Sequence, residues 1–449
     1  MYSFSEIKTL AKLAWPLLIA QVTQTLMGVS DTVMAGHASA TDMAAVAVGA
    51  SLMFPCMIFL QGVIMALPPI ISRLHGKGET HAIINTGHQA FWLSIGLSLP
   101  FFVLSFYTPE MIALIPMEEA LRHITSDYLR YVFAGFPAFV FYQVLRQYGE
   151  GLSVTKPSML IMFIGLLVNI PANYIFINGH LGLPALGGAG CGIATTLVYC
   201  AMLIATWLYC KYAKKMADYP FFAHFHGPQW PEMKKLLKLG VPTAFTLLFE
   251  VTLFTVVAVL LARYGTKVVA SHQIALSISS VFFMLPFSVG MASTIRIGYL
   301  LGRDQPDTAK SSVNNALILS VSIAAINAVF CYGFRYELSS LYSIDKAVIE
   351  MASSLMLLAA LFQFSDAIQI VAGCALRGYK DAKAMFYLSF VSYWVLGLST
   401  GLTLAMTDWI VPAMQAKGFW IGFIVGLTAA AIVLIIRLRY VQKRPLPAH

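Results

Sequence analysis

Residues 43–72 read MAAVAVGASLMFPCMIFLQGVIMALPPIIS, a run without a single charged side chain. About 20 apolar residues in a helix span the roughly 30 Å hydrocarbon core of a bilayer, so this run is long enough to cross it. Runs of comparable length lie at 8–35, 81–106, 119–145, 157–178 and 189–212 in the same half of the chain. A second set follows at 233–262, 268–300, 308–333, 346–376, 382–406 and 413–437. Composition agrees: of 449 residues, 59% are hydrophobic and 11% charged, with a mean hydropathy of +0.76. Soluble domains sit near 45–50% apolar and about 25% charged. The reading is an all-α polytopic membrane protein of twelve transmembrane helices.

The N-terminal run carries Lys8 and Lys12 at its start, as a signal peptide would. It is too long for one, and Gln21, Thr23, Gln24 and Thr25 interrupt it, so it reads as the first spanning helix. Prolines inside the runs (Pro16, Pro55, Pro137, Pro242, Pro286) predict kinks where neighbouring groups satisfy the freed carbonyls. The formal net charge of +9 does not signal nucleic acid, because the basic residues cluster in short loops between apolar runs. With both termini inside, only Arg122, Arg130, Arg263, Lys267, Arg335, Lys346 and Lys417 of the 29 Lys and Arg fall outside. That asymmetry places both termini in the cytoplasm. The six cysteines form no CxxC pair and no zinc-like spacing, and read as small buried hydrophobes.

The halves repeat. LAWP at 13–16 matches LGVP at 239–242, an offset of 226 residues. At the same offset Gly76 and Lys77 of ISRLHGKGE match Gly302 and Arg303 of IGYLLGRDQ. A six-helix repeat in one orientation relates the halves by an axis along the membrane normal. The expected organisation is an N-lobe at 1–212, a basic, proline-bearing cytoplasmic linker at 213–232, and a C-lobe at 233–449, two pseudo-symmetric six-helix bundles around a central cavity. A transporter is the class such an arrangement suggests.

No GxxxxGK[ST] occurs, so ATP drive is not expected, and no HExxH or intramembrane serine with a base suggests an enzyme. An ion gradient is the expected drive. Of the 20 acids, all but three lie in loops or towards helix ends. The three are Asp31 (TLMGVSDTVMAG), Glu250 (LLFEVTLF) and Asp366 (FQFSDAIQI). A charge at mid-membrane costs about 2.5–3.5 kcal/mol on insertion scales, which makes each a functional candidate. No Lys or Arg lies within two helical turns of any of them. Apolar surroundings penalise a lone carboxylate's charge, so each must hold a proton, a metal cation or an organic cation. Occupants that compete for one carboxylate in states facing opposite sides produce antiport.

The acids do not follow the repeat. At the offset of 226, Asp31 pairs with Val257 and Glu250 with Gln24, so the lobes have separate tasks. Near Asp31, Asn169 and Asn173 stand four apart on one helix face with Pro171 between them, and Thr195 lies in the next helix. Amide and hydroxyl oxygens there suit a hard cation, or helix–helix hydrogen bonding alone. Gln273 in SHQIALS is a polar candidate for the cavity wall, with His272 beside it structural. The 30 Phe, 21 Met and 7 Trp supply surface for flat apolar cations through cation–π and thioether contacts.

At DTVMAGHAS, NIPANYIF, GAGCGIATT, VASHQIALSIS, RIGYLLGRD and ALRGYKDAK the chain resembles the MATE (multidrug and toxic compound extrusion) family of antiporters, in particular its NorM-like branch. The resemblance covers nearly the whole chain. It implies two six-helix bundles, rocker-switch alternating access and cation-coupled efflux of organic cations. The family's helix 1 aspartate, helix 7 glutamate and helix 10 aspartate match Asp31, Glu250 and Asp366. An acid lining the outer approach matches Asp345, and the N-lobe cation ligands match Asn169, Asn173 and Thr195. Archaeal-type members carry an aspartate where Asn173 stands, and NorM-like Na⁺ sites a tyrosine where this chain has Phe362; both departures remove ligand strength.

The expectation is therefore a secondary antiporter, not an enzyme, exporting cationic amphiphilic compounds in exchange for Na⁺ or H⁺. Substrate is expected at Asp31, Glu250, Gln273, Asp345 and Asp366. The coupling cation is expected at Asp31, Asn169, Asn173, Thr195, Glu250 and Asp366, with Glu250 and Asp366 as the Na⁺ ligands. A monomer in contact with lipid, in a bacterial inner membrane, without ATP or nucleic acid, completes the reading. The rival of the same superfamily is a lipid-linked oligosaccharide flippase, which calls for cavity arginines to meet phosphates; Arg130, near an outer end, is the one such residue in a central helix. A membrane-embedded enzyme or a channel are the rivals from other classes.

Overall fold

The structure, a computed structural model, describes residues 4–223 and 225–443. Among them there is no strand. Helices α1 (Phe4–Ala38), α2 (Ala40–Ile64), α3 (Leu67–Lys77) and α4 (Thr80–Leu104) are followed by the short α5 (Thr108–Ala113). Then come α6 (Glu119–Gly151), α7 (Lys156–Asn178) and α8 (Gly188–Tyr212). The second half runs α9 (Trp230–Leu261), α10 (Thr266–Gly302), α11 (Pro306–Gly333), the short α12 (Arg335–Ser340) and α13 (Lys346–Gly378). It ends with α14 (Ala382–Phe390), a π-helical turn at Val391–Gly397, α15 (Leu398–Met406) and α16 (Ala416–Gln442). Counting α2–α3 as one span and α14–α15 as another, the described residues form twelve long helical rods. Ten of them are apolar enough to cross a membrane by length and composition. The other two, α1 and α6, are as long but more polar, carrying Gln21, Gln24 and Asp31, and Arg122, Asp127 and Arg130.

The chain forms two compact units. One holds residues 16–244. At its centre α6 packs against α2, α4 and α8, and α8 against α7. Glycines let these helices touch: a Cβ on Gly192 would stand 2.6 Å from the carbonyl oxygen of Tyr128. The other unit holds residues up to Trp15 with those from Phe245 on. There α13 is central, against α10, α11 and α16. Since α6 and α13 are each the fourth span of their half, the repeat read from the sequence reappears as equivalent packing.

Two helices pass from one unit to the other beside a proline. In α1 the break falls at Pro16, and in α9 it follows Ala244, two residues after Pro242. Leu10, Leu13 and Ala14 pack on Val289, Ala292, Ala316, Val371 and Cys374. Glu6 anchors the same segment, accepting from Arg296 Nε at 3.1 Å and Nη2 at 2.5 Å.

The face between α15 and α16 is made of glycines. A Cβ on Gly422 would meet the Gly397 carbonyl oxygen and Gly401 Cα at 2.6 Å each. Both obstacles are backbone, so neither can rotate away. Gly422→Val is expected to destabilise the protein by about 3 kcal/mol, the upper end for overpacking. Gly28→Ala is the control, because a Cβ there meets nothing within 4 Å. Thermal unfolding in detergent should show a clear drop for the first and none for the second; equal midpoints would refute the packing argument.

Candidate functional site

The structure sorts the sequence-derived residues into two clusters and two outliers. The first cluster lies in the unit of residues 16–244. Asp31, in α1, accepts on one oxygen, Oδ1, from Asn169 Nδ2 at 2.8 Å and Asn173 Nδ2 at 2.6 Å. The i, i+4 spacing puts both amides on one face of α7. The Thr195 hydroxyl of α8 borders the same carboxylate and donates to the Cys191 carbonyl at 2.8 Å. No ion pair reaches Asp31, Glu250 or Asp366 among the described residues.

Both asparagines are buried, and with their NH₂ groups turned to Asp31 their Oδ1 atoms have no hydrogen-bond partner. A buried carbonyl without a donor costs about 1–3 kcal/mol. Rotating either amide exchanges NH₂ for oxygen. The cluster can thus offer a carboxylate with up to two amide oxygens, the donor set of a hard cation, or hold the carboxylate by two N–H donors. Tyr128 of α6 and Tyr199 of α8 lie close enough for their hydroxyls to feel the Asp31 charge. The sequence reading missed both. Tyr199 had a signal, standing one turn beyond Thr195 on the same face of α8; Tyr128 had none.

The second cluster lies in the other unit. Glu250 of α9 and Asp366 of α13 are near enough for their charges to interact. Glu250 lines a small cavity with Phe254, Tyr393, Gly422, Phe423 and Gly426. Asp366 is buried and accepts from Gln369 Nε2 at 3.1 Å, and Gln369 Oε1 accepts from Tyr393 Oη at 2.6 Å. Aromatic rings pack beside this cluster: Phe254 against Phe423 at 5.0 Å, and Phe362 against Trp420 at 5.6 Å between ring centroids. Phe362, where the resemblance implies a tyrosine, is buried in that packing and brings no oxygen. His272 is fully buried and accepts from the Trp420 indole at 3.1 Å, a structural bond. Among the described residues no three His, Cys, Asp or Glu side chains form a metal-binding group. A cation at either cluster would rely on carboxylate with amide, hydroxyl or phenol oxygens.

The outliers join neither cluster. Gln273 is exposed on α10. Asp345 caps α13, accepting from the Ala347 amide at 2.9 Å, and pairs with Lys267 at 3.4 Å. The Ala347 amide, helped by the Lys267 ammonium, holds its carboxyl below the usual carboxylate range.

The family model MatE matches residues 16–175 and again 242–403, two copies at the offset of the internal repeat. The chain belongs to the MatE family. Among its relatives, the probable multidrug resistance protein NorM of Shewanella oneidensis is 51% identical over 444 residues, covering 98% of this chain and 96% of that protein. Multidrug resistance protein MdtK of Yersinia pseudotuberculosis is 46% identical over 441 residues, again covering 98% and 96%. Solved MATE structures share the fold. An outward-facing multidrug resistance MATE transporter of the MOP superfamily superposes with a TM-score of 0.87 at 19% identity, over 98% of this chain and 97% of that one. The eukaryotic MATE transporter AtDTX14 gives 0.84 at 20% identity, over 98% and 99%. Like them, this MatE chain is a multi-pass membrane protein.

Proposed function

We propose that this protein is a secondary active multidrug efflux antiporter, exporting cationic amphiphilic compounds in exchange for Na⁺ or H⁺. The observation that carries the reading is Asp31: a carboxylate inside a spanning helix, held by two asparagine amides and no basic residue. The NorM and MdtK relatives are named as multidrug resistance proteins, which supports drugs as the cargo. The chain sits in a bacterial inner membrane as a monomer, in contact with lipid and with both termini in the cytoplasm, and uses no ATP.

The two clusters divide the work. In the unit of residues 16–244, a proton or Na⁺ arriving at Asp31 competes with the amide N–H groups for the carboxylate, and those bonds are restored when the ion leaves. The other unit offers Glu250 and Asp366 beside aromatic surface, a pairing that attracts an organic cation or the coupling ion. Either ligand drives the cycle only by its difference in affinity between the inward-open and outward-open states. Gln273 and Asp345 line the approach of substrate, and rocker-switch alternating access exposes the acids to each side in turn. A lipid-linked oligosaccharide flippase is not favoured, since both carboxylate clusters would repel a phosphate.

The test is efflux of a cationic dye from proteoliposomes under an imposed Na⁺ gradient or an imposed pH gradient, each with the other clamped. Efflux driven by at least one gradient is expected. Efflux indifferent to both would sink the proposal.

A further inference from the structure

We infer that Tyr393 and Gln369 are positioning residues for Asp366: the tyrosine hydroxyl fixes the glutamine amide so that its N–H, and not its oxygen, faces the carboxylate. The three side chains are buried and form one chain of bonds, Tyr393 Oη donating to Gln369 Oε1 at 2.6 Å and Gln369 Nε2 donating to Asp366 Oδ1 at 3.1 Å. A primary amide can turn either end to a neighbour, and the two orientations are opposite in effect. The NH₂ end stabilises a carboxylate; the oxygen end repels it. Tyr393 favours one orientation: its hydroxyl donates to Oε1 and leaves N–H for Asp366, whereas the reverse would make the phenol accept from the amide and set the glutamine oxygen against the carboxylate.

Local backbone places the tyrosine. Tyr393 lies in the π-helical turn Val391–Gly397 between α14 and α15. A π turn carries one residue more than an α turn, and one residue rotates the flanking segments by about 100° relative to each other. Such turns are rare and often sit at functional sites. Here Tyr393 stands in the wall of the cavity that Glu250 lines, while Gly397 meets the backbone of α16 at Gly422 and Gly426. The Trp394 indole secures the turn by donating to the Phe249 carbonyl, one residue before Glu250, at 3.3 Å. The same π turn therefore touches the Glu250 helix and, through Gln369, the Asp366 helix.

The inference deepens the proposed function and rests on it only for the meaning of Asp366: an incoming cation exchanges for an N–H donor that the protein keeps aimed. The contrast is with Asn169 and Asn173, whose oxygens have no hydrogen-bond partner to fix which end of the amide faces Asp31.

Infrared difference spectra of the purified full-length protein test it without transport. The spectrum of the native protein minus that of Asp366→Asn isolates the Asp366 carboxyl band. The same subtraction is repeated in the Tyr393→Phe and Gln369→Met backgrounds, with thermal unfolding to confirm that each variant is folded. Tyr393→Phe is expected to shift the band in the direction of a lost donor, and Gln369→Met, similar in volume but without an N–H, to shift it the same way. A general structural role would lower the unfolding temperature without moving the band. An unmoved band in Tyr393→Phe overturns the inference, even if Gln369→Met moves it, because the hydroxyl would then not set the amide. Should Tyr393→Phe fail to fold, an unmoved band in Gln369→Met overturns it alone. Absence of gradient-driven efflux in the native protein would sink the proposed function and leave the infrared result standing.

Discussion

Asp31→Asn is expected to abolish gradient-driven efflux while the protein stays folded. The substitution keeps the shape of the side chain and an oxygen able to accept from Asn169 and Asn173, so the contacts among α1, α7 and α8 persist. What disappears is the negative charge, and with it the binding of a coupling cation. A neutral amide offers no affinity difference between states for the driving ion. Coupling free energies between sites are about 1–3 kcal/mol, or roughly 5–150-fold, so efflux should fall by about two orders of magnitude, to the undriven rate. Unfolding temperature should stay near that of the native protein. Efflux at the native rate from equal amounts of Asp31→Asn protein in proteoliposomes would remove Asp31 from the mechanism.

The second large effect is expected from the paired acids of the other unit. Glu250 and Asp366 are near enough for their charges to interact, so neutralising either changes the site that the other sees. Glu250→Gln and Asp366→Asn are each expected to cut efflux at least tenfold. The double variant should be little worse than the more damaging single one, because residues that act as one unit are non-additive. The measurement is a double-mutant cycle on initial efflux rates. Losses that multiply independently would mean that the two carboxylates do separate jobs. Asp345→Asn provides the contrast. Its carboxylate is exposed and occupied with the α13 cap and Lys267, so only a small loss is expected.

Much of this was legible in the chain, for a reason that can be stated residue by residue. A charge in an apolar run is costly, so Asp31, Glu250 and Asp366 stand out against their neighbours without any structure. Asn169 and Asn173 follow from the helical spacing of four. Gln369 and Tyr393 do not follow. They are common residue types on different helices, separated by 24 positions, and neither incurs a cost that marks it. Gln273 was singled out because it is polar, but polarity does not say which way a helix face points; the structure leaves it exposed on α10, outside both clusters.

By itself the sequence determined the solvent, the number of spans and the repeat, because hydrophobic length and periodicity are local quantities that a bilayer reads directly. It also determined which acids must find partners. Tertiary structure alone decided who those partners are. The orientation of an amide, the π turn at Val391–Gly397, and the packing of residues before Pro16 against α10, α11 and α13 all depend on surfaces brought together from distant parts of the chain. No local pattern encodes them, since each is set by the fit between helices and by the requirement that every buried polar group be satisfied there.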